Sequence, residues 1–411
     1  MLSSTLDMLG IFSNKPEFNK VLHVGKPNIG DRKKLYSRID DMLDRAWLTN
    51  NGPFVQEMEK RVSDYLNVKH CIAMCNGTVA LEIVTRALDM SGEVIVPSLT
   101  FVATAHAIQW QGMTPVFCDV DPVTCTIDPK QIERFITPRT TGIIGVHLWG
   151  KPCHIEEIEK IARKHDLKLV YDASHAFGCS YKKRRIGAFG DAETFSFHAT
   201  KFLNSFEGGA VVTNNDELAE KIRYMKNFGF EGMDNVMYVG TNGKMSEISA
   251  AMGLTSLDQI DYFISINKKN YNTYRNYLEN INGVQIREID KTEDNNYQYI
   301  LIDVDQEKTR MSRDLLMKIL HAENIRARRY FFPGCHRMEP YRSYFPNTGV
   351  LLPVTEKMAE RLLCLPTGTG ITSEDIDKIC SLIRFSVENS IEIIRRLKSE
   401  KNTLTLDFLR L

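Results

Sequence analysis

The run FSFHATKFLNSFEGGAVVTN, residues 195–214, sets Lys201 among Phe197, His198, Ala199, Thr200, Phe202 and Leu203. A solvated lysine belongs on a polar face, so burial is the expectation for this one. A buried ammonium without a partner is costly, and such a lysine either lowers its pKa or gives up its charge in a covalent bond. Snorkelling, with a buried stem and a wet amine, is the ordinary alternative for an isolated lysine. Corroboration must come from other residues able to share a site with it.

Ligands of open α/β sheets bind beyond the carboxyl ends of the strands, which makes the residues just after each strand informative. After HCIAMC comes Asn76-Gly77-Thr78 and then a helix, an arrangement in which backbone N–H groups and a hydroxyl can receive a phosphate. After EVIVP comes Ser98-Leu99-Thr100-Phe101, which puts an aromatic ring where it can cover a planar ligand. After LKLVY comes Asp172, followed by Ala-Ser-His175, and Ser196 stands five positions before Lys201. Each has an ordinary reading: a capped turn, a core ring, a helix cap. Taken in order, a phosphate cradle, an aromatic cover, an anion able to keep a pyridine nitrogen protonated and a buried lysine are the parts that hold pyridoxal phosphate as a Schiff base.

The elements that must position these residues are legible as alternation. Between residues 69 and 213, β-rich runs (HCIAMC, EVIVP, TPVFCDV, TGIIGVHL, LKLVYDA) alternate with helical patterns at Thr78–Met90, after Thr100, near 129–136 and at 154–165. Near-continuous Val/Ile/Leu strands imply a mostly parallel sheet covered on both faces by helices. A long helical segment beginning near Ser246 leads to a second texture: a strand-like YQYILIDV at 297–304, a helix at 311–323, IRARRYF and a helix at 373–386. It reads as a smaller α+β domain, which divides the chain into a large α/β domain at 1–255 and a small domain at 256–411. Residues 387–411 read as a helical, charge-mixed tail ending in LTLDFLRL.

Composition bounds the function. The 411 residues suffice for two domains, and 52 basic against 52 acidic residues argue against a nucleic-acid binder. The cluster Lys182-Lys183-Arg184-Arg185 reads as a solvated hairpin turn. Nine cysteines without a CxxC pair favour reduced, mostly buried thiols, and no metal is expected. The N-terminus lacks a basic leader and no run of about 18 apolar residues occurs, so a soluble, cytoplasmic chain with no membrane partner is the expectation. No GxGxxG opens a βαβ unit, which opposes a dinucleotide-dependent oxidoreductase. A cofactor-binding regulator on the same fold would bring a basic DNA-binding module, which the neutral charge does not offer.

An ordered series carries a family resemblance: WLTNNGPFVQEMEKRV, CNGTVALEI, VIVPSLTFVATAHAI, TPVFCDVDP, YDASHAFG, FSFHATKFLNSFEGGAVVTNND and GTNGKMSEISAAMG. Between LHVGKPNIG at 22–30 and IRF at 383–385, the chain resembles the DegT/DnrJ/EryC1/StrS nucleotide-sugar aminotransferases, within the fold-type I, aspartate aminotransferase-like pyridoxal phosphate enzymes. The resemblance gives Lys201 the covalent link to pyridoxal 5'-phosphate and Asp172 the pyridinium nitrogen. It gives Gly77, Thr78 and Ser196 the phosphate, and Phe101 the ring face. It matches Asn242 to an asparagine that reaches the neighbouring subunit's phosphate, implying a homodimer with shared sites. His175 stands where many members have glutamine bonded to the cofactor's phenolic oxygen. Dehydratases similar to these enzymes carry histidine where Lys201 stands, so lysine implies amino transfer from a donor, glutamate by resemblance. GVHLWGKP at 145–152 looks most like the subgroup that aminates C4 of dTDP-4-dehydro-6-deoxyglucose, with 3-aminating and GDP- or UDP-sugar relatives open. In ARRYFFPGCH at 327–336, Arg328, Arg329 and His336 are candidates for sugar-nucleotide contacts, with a surface ion pair the alternative for at least one arginine.

Overall fold

The structure, a computed structural model, describes residues 6–401. In chain order, the strands of its main sheet are β1 (His70–Met74), β2 (Glu93–Pro97), β3 (Thr114–Cys118), β4 (Thr140–Val146), β5 (Lys168–Asp172), β6 (Ala192–Ser196) and β7 (Gly209–Thr213). Their spatial order is β1-β7-β6-β5-β4-β2-β3. The strands from β6 to β3 are parallel, and β7 alone runs antiparallel to its two neighbours. The expected mostly parallel sheet is therefore present, and the period of two within each strand explains its double burial. Ile95, Ile143, Leu169, Tyr171, Phe195 and Val212 face one core. Their neighbours Val94, Val96, Ile144, Val170 and Val211 face the other.

Helices α1 (Arg32–Asp44), α2 (Pro53–Leu66), α3 (Gly77–Ala87), α4 (Ala103–Gln109), α5 (Ile155–Lys164) and α6 (Asp216–Met225) accompany this sheet, followed by α7 (Glu247–Leu257). Fully buried Glu247 satisfies the first turn of α2, accepting the N–H groups of Phe54 and Val55 at 2.9 Å each. Helix α8 (Ile260–Leu278) is shared between two cores, with Ile260 and Phe263 in the first and Tyr271, Tyr274 and Leu278 in a second.

The second core lies around an antiparallel three-stranded sheet of β8 (Val284–Ile286), β9 (Ile300–Val304) and β10 (Leu362–Leu365). Helices α9 (Arg313–Ala322), α10 (Pro353–Arg361), α11 (Ser373–Glu388) and α12 (Ser390–Lys401) complete this half. Leu6, Leu9 and Phe18 from the start of the chain are also in this core. Buried Glu323 holds that segment by accepting the N–H groups of Gly10 at 2.6 Å and Glu17 at 2.8 Å. The chain then pairs Leu22–His23 in parallel with Ile325–Arg326 before crossing to the large sheet.

Three expected elements come out shorter. The strand expected at 297–304 starts at Ile300, because the side-chain oxygens of Asn295 and Asn296 take the N–H groups of Tyr297 and Gln298 into local turns. The helix near 129–136 divides into an α-turn, Pro129–Ile132, and a 3-10 turn, Glu133–Phe135. IRARRYF contributes only the pair Ile325–Arg326 as strand. Lys182 and Lys183, at φ 48° and 64°, make the expected two-residue hairpin turn. All nine cysteines are free, and all but Cys75 are buried. The tail's last run, LTLDFLRL, lies outside the described residues.

Candidate active site

Strand β5 delivers Asp172 to the carboxyl edge of the sheet, where its side chain is 6 % exposed. One carboxylate oxygen accepts the Thr104 hydroxyl at 3.0 Å, and the other accepts the Ser174 N–H at 3.1 Å. Thr104 sits in the first turn of α4 and lies 3.2 Å from the Thr100 hydroxyl. Two neutral donors leave a buried carboxylate short of a cation. Lys201 is close enough to supply part of one. Lys201 is partly rather than fully buried, short of the expected burial, yet desolvation of its amine pulls its pKa down to about 8, and the Asp172 charge opposes that fall.

His175 lies on the same side of the sheet. Burial first, and the Lys201 charge second, hold its pKa well below the ordinary histidine value, so the ring is neutral. Its Nδ1 accepts the Trp149 N–H at 3.2 Å, which leaves the proton on Nε2 as a donor. Trp149 presents that N–H from the left-handed region, φ 55°. The imidazole stacks on Phe331, with centroids 5.8 Å apart and planes 10° apart. Phe331 also packs 6.0 Å from the ring of Phe101, a residue 54 % exposed.

The phosphate cradle has a specific shape. Asn76 caps α3 by accepting the Val79 N–H at 2.8 Å, and among the described residues the N–H groups of Gly77 and Thr78 have no protein acceptor. A Cβ on Gly77 would lie 2.9 Å from the Ser196 Cβ, so only glycine lets the helix start approach β6 this closely. Two amides, the Ser196 side chain beside Gly77 and the positive end of a helix whose second residue is Thr78 meet there, a donor set that suits a phosphate. With the buried acid and the low-pKa lysine, these residues fit pyridoxal phosphate.

The remaining expected residues are placed differently. Asn242 is exposed on a loop whose Gly243 accepts the Cys75 N–H at 2.8 Å, beside the cradle but facing outward. Arg328 is exposed, over the Tyr330 ring at 5.0 Å and in no ion pair among the described residues. Arg329 pairs with Asp314 at 3.2 Å and lies 4.4 Å over the Phe332 ring, as the ion-pair alternative has it. His336 is buried with both ring nitrogens engaged, Nδ1 with the Ser98 hydroxyl and Nε2 with Glu356, each at 2.6 Å. It ties its segment to the residues after β2 and keeps no free polar atom for a ligand. Sequence reasoning passed over Thr104, Trp149 and Phe331. Only Thr104 had a local signal, one helical turn beyond Thr100 in the strand-end run SLTFVAT.

The Lys201 shift has a pH consequence. Only the neutral amine is nucleophilic, so in the apoprotein its rate of attack on an added aldehyde should rise with pH to a plateau above about 8. Acceleration continuing to about 10, as for a solvated lysine, would show that the amine is wet. Between those values the unfolded chain holds a proton that the folded chain has released, so this group makes the apoprotein gain stability as pH rises.

A model described as the DegT/DnrJ/EryC1/StrS aminotransferase family matches residues 30–384. The chain is 39 % identical over 367 residues to dTDP-4-amino-4,6-dideoxy-D-glucose transaminase of Shigella dysenteriae, covering 89 % of this chain and 99 % of that protein. It is 34 % identical over 367 residues to GDP-perosamine synthase of Caulobacter vibrioides, covering 88 % and 97 %. Among solved structures, DesI in the presence of its TDP-sugar product matches with a TM-score of 0.92 at 46 % identity, covering 96 % of this chain and all of that one.

Proposed function

The chain belongs to the DegT/DnrJ/EryC1/StrS aminotransferase family, and on that premise we propose that it moves an amino group from glutamate to C4 of dTDP-4-dehydro-6-deoxy-D-glucose. The product is dTDP-4-amino-4,6-dideoxy-D-glucose, destined for a surface glycan or glycoside. The observation that carries the chemistry is a lysine placed near the buried Asp172 carboxylate at the carboxyl edge of the sheet, where desolvation pulls the amine's pKa down. Bound pyridoxal 5'-phosphate supplies an electron sink for the carbon bearing the transferred nitrogen. The chain's residues do the rest. Lys201 would hold the cofactor through its side-chain amine and, once free and neutral, would serve as the base that carries the proton from the donor carbon. Asp172 keeps a proton on the pyridine nitrogen by offering it a buried negative charge. His175 would offer its Nε2 proton to the phenolic oxygen, Phe101 would cover the ring, and Gly77, Thr78 and Ser196 would take the phosphate. Arg328, in no ion pair among the described residues, is a cation available to the sugar nucleotide's diphosphate.

Similarity to the two kinds of relative separates the readings of substrate. Offered dTDP-4-dehydro-6-deoxyglucose and GDP-4-dehydro-6-deoxymannose separately with glutamate, the enzyme should aminate the first with the higher kcat/KM. Preference for the second would overturn the dTDP assignment in favour of a perosamine-type enzyme.

We also propose a cytoplasmic homodimer with shared sites; among the described residues no helix is long and apolar enough to cross a membrane. Support for association comes from the hairpin and flanks at 228–239, where Phe228, Met233, Val236, Met237 and Val239 are exposed by 47–91 %. So much apolar surface beside Asn242 is suited to a second copy of the chain. If Asn242 completes the partner's phosphate site, mixing inactive Lys201→Ala with an impaired Asn242→Ala variant should recover up to about one quarter of wild-type activity, since about half the dimers carry one intact site. Heterodimers that stay inactive would make Asn242 a turn residue. A division into a large and a small domain near residue 255 is the companion proposal, supported by the two cores that meet along α8, with the start of the chain (Leu6, Leu9 and Phe18) packing in the small domain's core rather than with the rest of 1–255.

A further inference from the structure

Lys201 stands in a loop with almost no ladder to hold it. Its own N–H goes to the His198 carbonyl at 2.8 Å, and Ser205 returns to Phe197 at 2.8 Å. The carbonyls on either side of the lysine, those of Thr200 and Phe202, are instead taken by side-chain carboxamides from distant parts of the chain. Gln298 Nε2 donates to Thr200 O at 3.4 Å, and Asn28 Nδ2 donates to Phe202 O at 3.2 Å. Asn204 Nδ2 answers by donating to Asn28 O at 3.0 Å.

The carboxamides are themselves held. Asn267 of α8 donates to Gln298 Oε1 at 3.1 Å and to Asn296 O at 2.9 Å. Asn296 Nδ2 in turn donates to the carbonyls of His175, at 2.9 Å, and Phe177, at 3.0 Å. Asn28, Asn204, Asn267, Asn296 and Gln298 are all at most 6 % exposed, so these carboxamides are themselves shielded from water. Among the described residues, the side-chain oxygens of Asn28 and Asn267 have no hydrogen-bond partner. Retaining half-satisfied amides in a buried place is costly, and an apolar residue there would avoid the cost.

From this arrangement we propose that Asn28 and Gln298 are positioning residues that clamp the peptide on either side of Lys201, so that the site of the amine is set by the N-terminal segment and the second core. The inference rests on Lys201 being the cofactor-bearing lysine. Neutral amides suit the task, because a charged clamp would shift the amine's proton affinity while fixing its place. A lysine amine at the end of a four-carbon stem attacks efficiently only when its backbone is fixed, and misplacement by about 1 Å can cost about a hundredfold.

The test uses the near-isosteric variants Gln298→Met and Asn28→Leu. Apoprotein is mixed with pyridoxal phosphate, quenched with borohydride at intervals, and the modified lysine mapped by mass spectrometry. Each variant should retain wild-type circular dichroism yet capture cofactor at Lys201 at least about tenfold more slowly, with kcat reduced about tenfold or more and the keto-sugar KM nearly unchanged. Should a variant melt early, capture is compared at a temperature where its circular dichroism matches wild type. Wild-type capture rates in folded samples of both variants would overturn the clamp. Wild-type capture at a lysine other than Lys201 would instead overturn the active-site reading.

Discussion

Lys201→Ala is expected to lower amino transfer by at least about ten-thousand-fold while leaving the fold intact, because one amine serves both as the cofactor's covalent anchor and as the proton carrier. Alanine removes a group that burial disfavours, so apoprotein stability should hold or rise slightly near neutral pH. The expected loss is therefore catalytic. Cofactor should still enter, since Gly77, Thr78 and Ser196 keep the phosphate cradle, but it should leave on prolonged dialysis. Single-turnover measurements with glutamate, paired with thermal melting, separate these effects. A variant that melts like wild type and turns over within tenfold of it would remove Lys201 from the mechanism.

The second large effect is Asp172→Asn. The amide oxygen can still accept the Ser174 N–H, and the Thr104 hydroxyl can turn to accept from the amide NH2, so the local structure should persist. What disappears is the negative charge, and with it the stabilisation of a protonated pyridine nitrogen. Proton removal from the donor should slow by about a hundredfold to ten-thousandfold, about 3 to 5 kcal/mol at 1.36 kcal/mol per decade. A second consequence follows from the opposing influences on Lys201. The Asp172 charge raises its pKa, so in the variant the amine should titrate below about 8 and the pH profile of aldehyde capture should move to lower pH. A stopped-flow isotope effect with deuterated glutamate checks the first expectation, and the capture profile the second. Wild-type values in both would leave Asp172 as a helix cap.

What the sequence made legible followed from local chemistry. Near-continuous apolar runs alternating with helical patterns announced the sheet, and residues at strand ends pointed to Gly77 and Asp172, because a strand followed by a helix start leaves few places for a ligand to sit, while the part of Ser196 came from the family resemblance. The direction of β7 was not legible: GAVVT reads the same in either sense, and only its hydrogen bonds to β1 and β6 decide it. Arg328, Arg329 and His336 looked equivalent in ARRYFFPGCH, yet Asp314 and Glu356, remote in sequence from what they bind, occupy two of the three. Asn28, Asn267 and Gln298 were invisible for the same reason. A buried carboxamide announces nothing about which distant carbonyl it will meet, whereas a lysine between phenylalanines advertises its own difficulty.

The central claim, that Lys201 carries pyridoxal phosphate for amino transfer, is tested most directly by the absorbance of purified, cofactor-loaded enzyme before and after glutamate is added without keto-sugar. The visible band of the lysine-bound cofactor should give way to near-ultraviolet absorbance as 2-oxoglutarate appears in amounts equal to the sites, and dTDP-4-dehydro-6-deoxyglucose should then restore the band. An unchanged spectrum with no 2-oxoglutarate, from enzyme whose cofactor maps to Lys201, would contradict it.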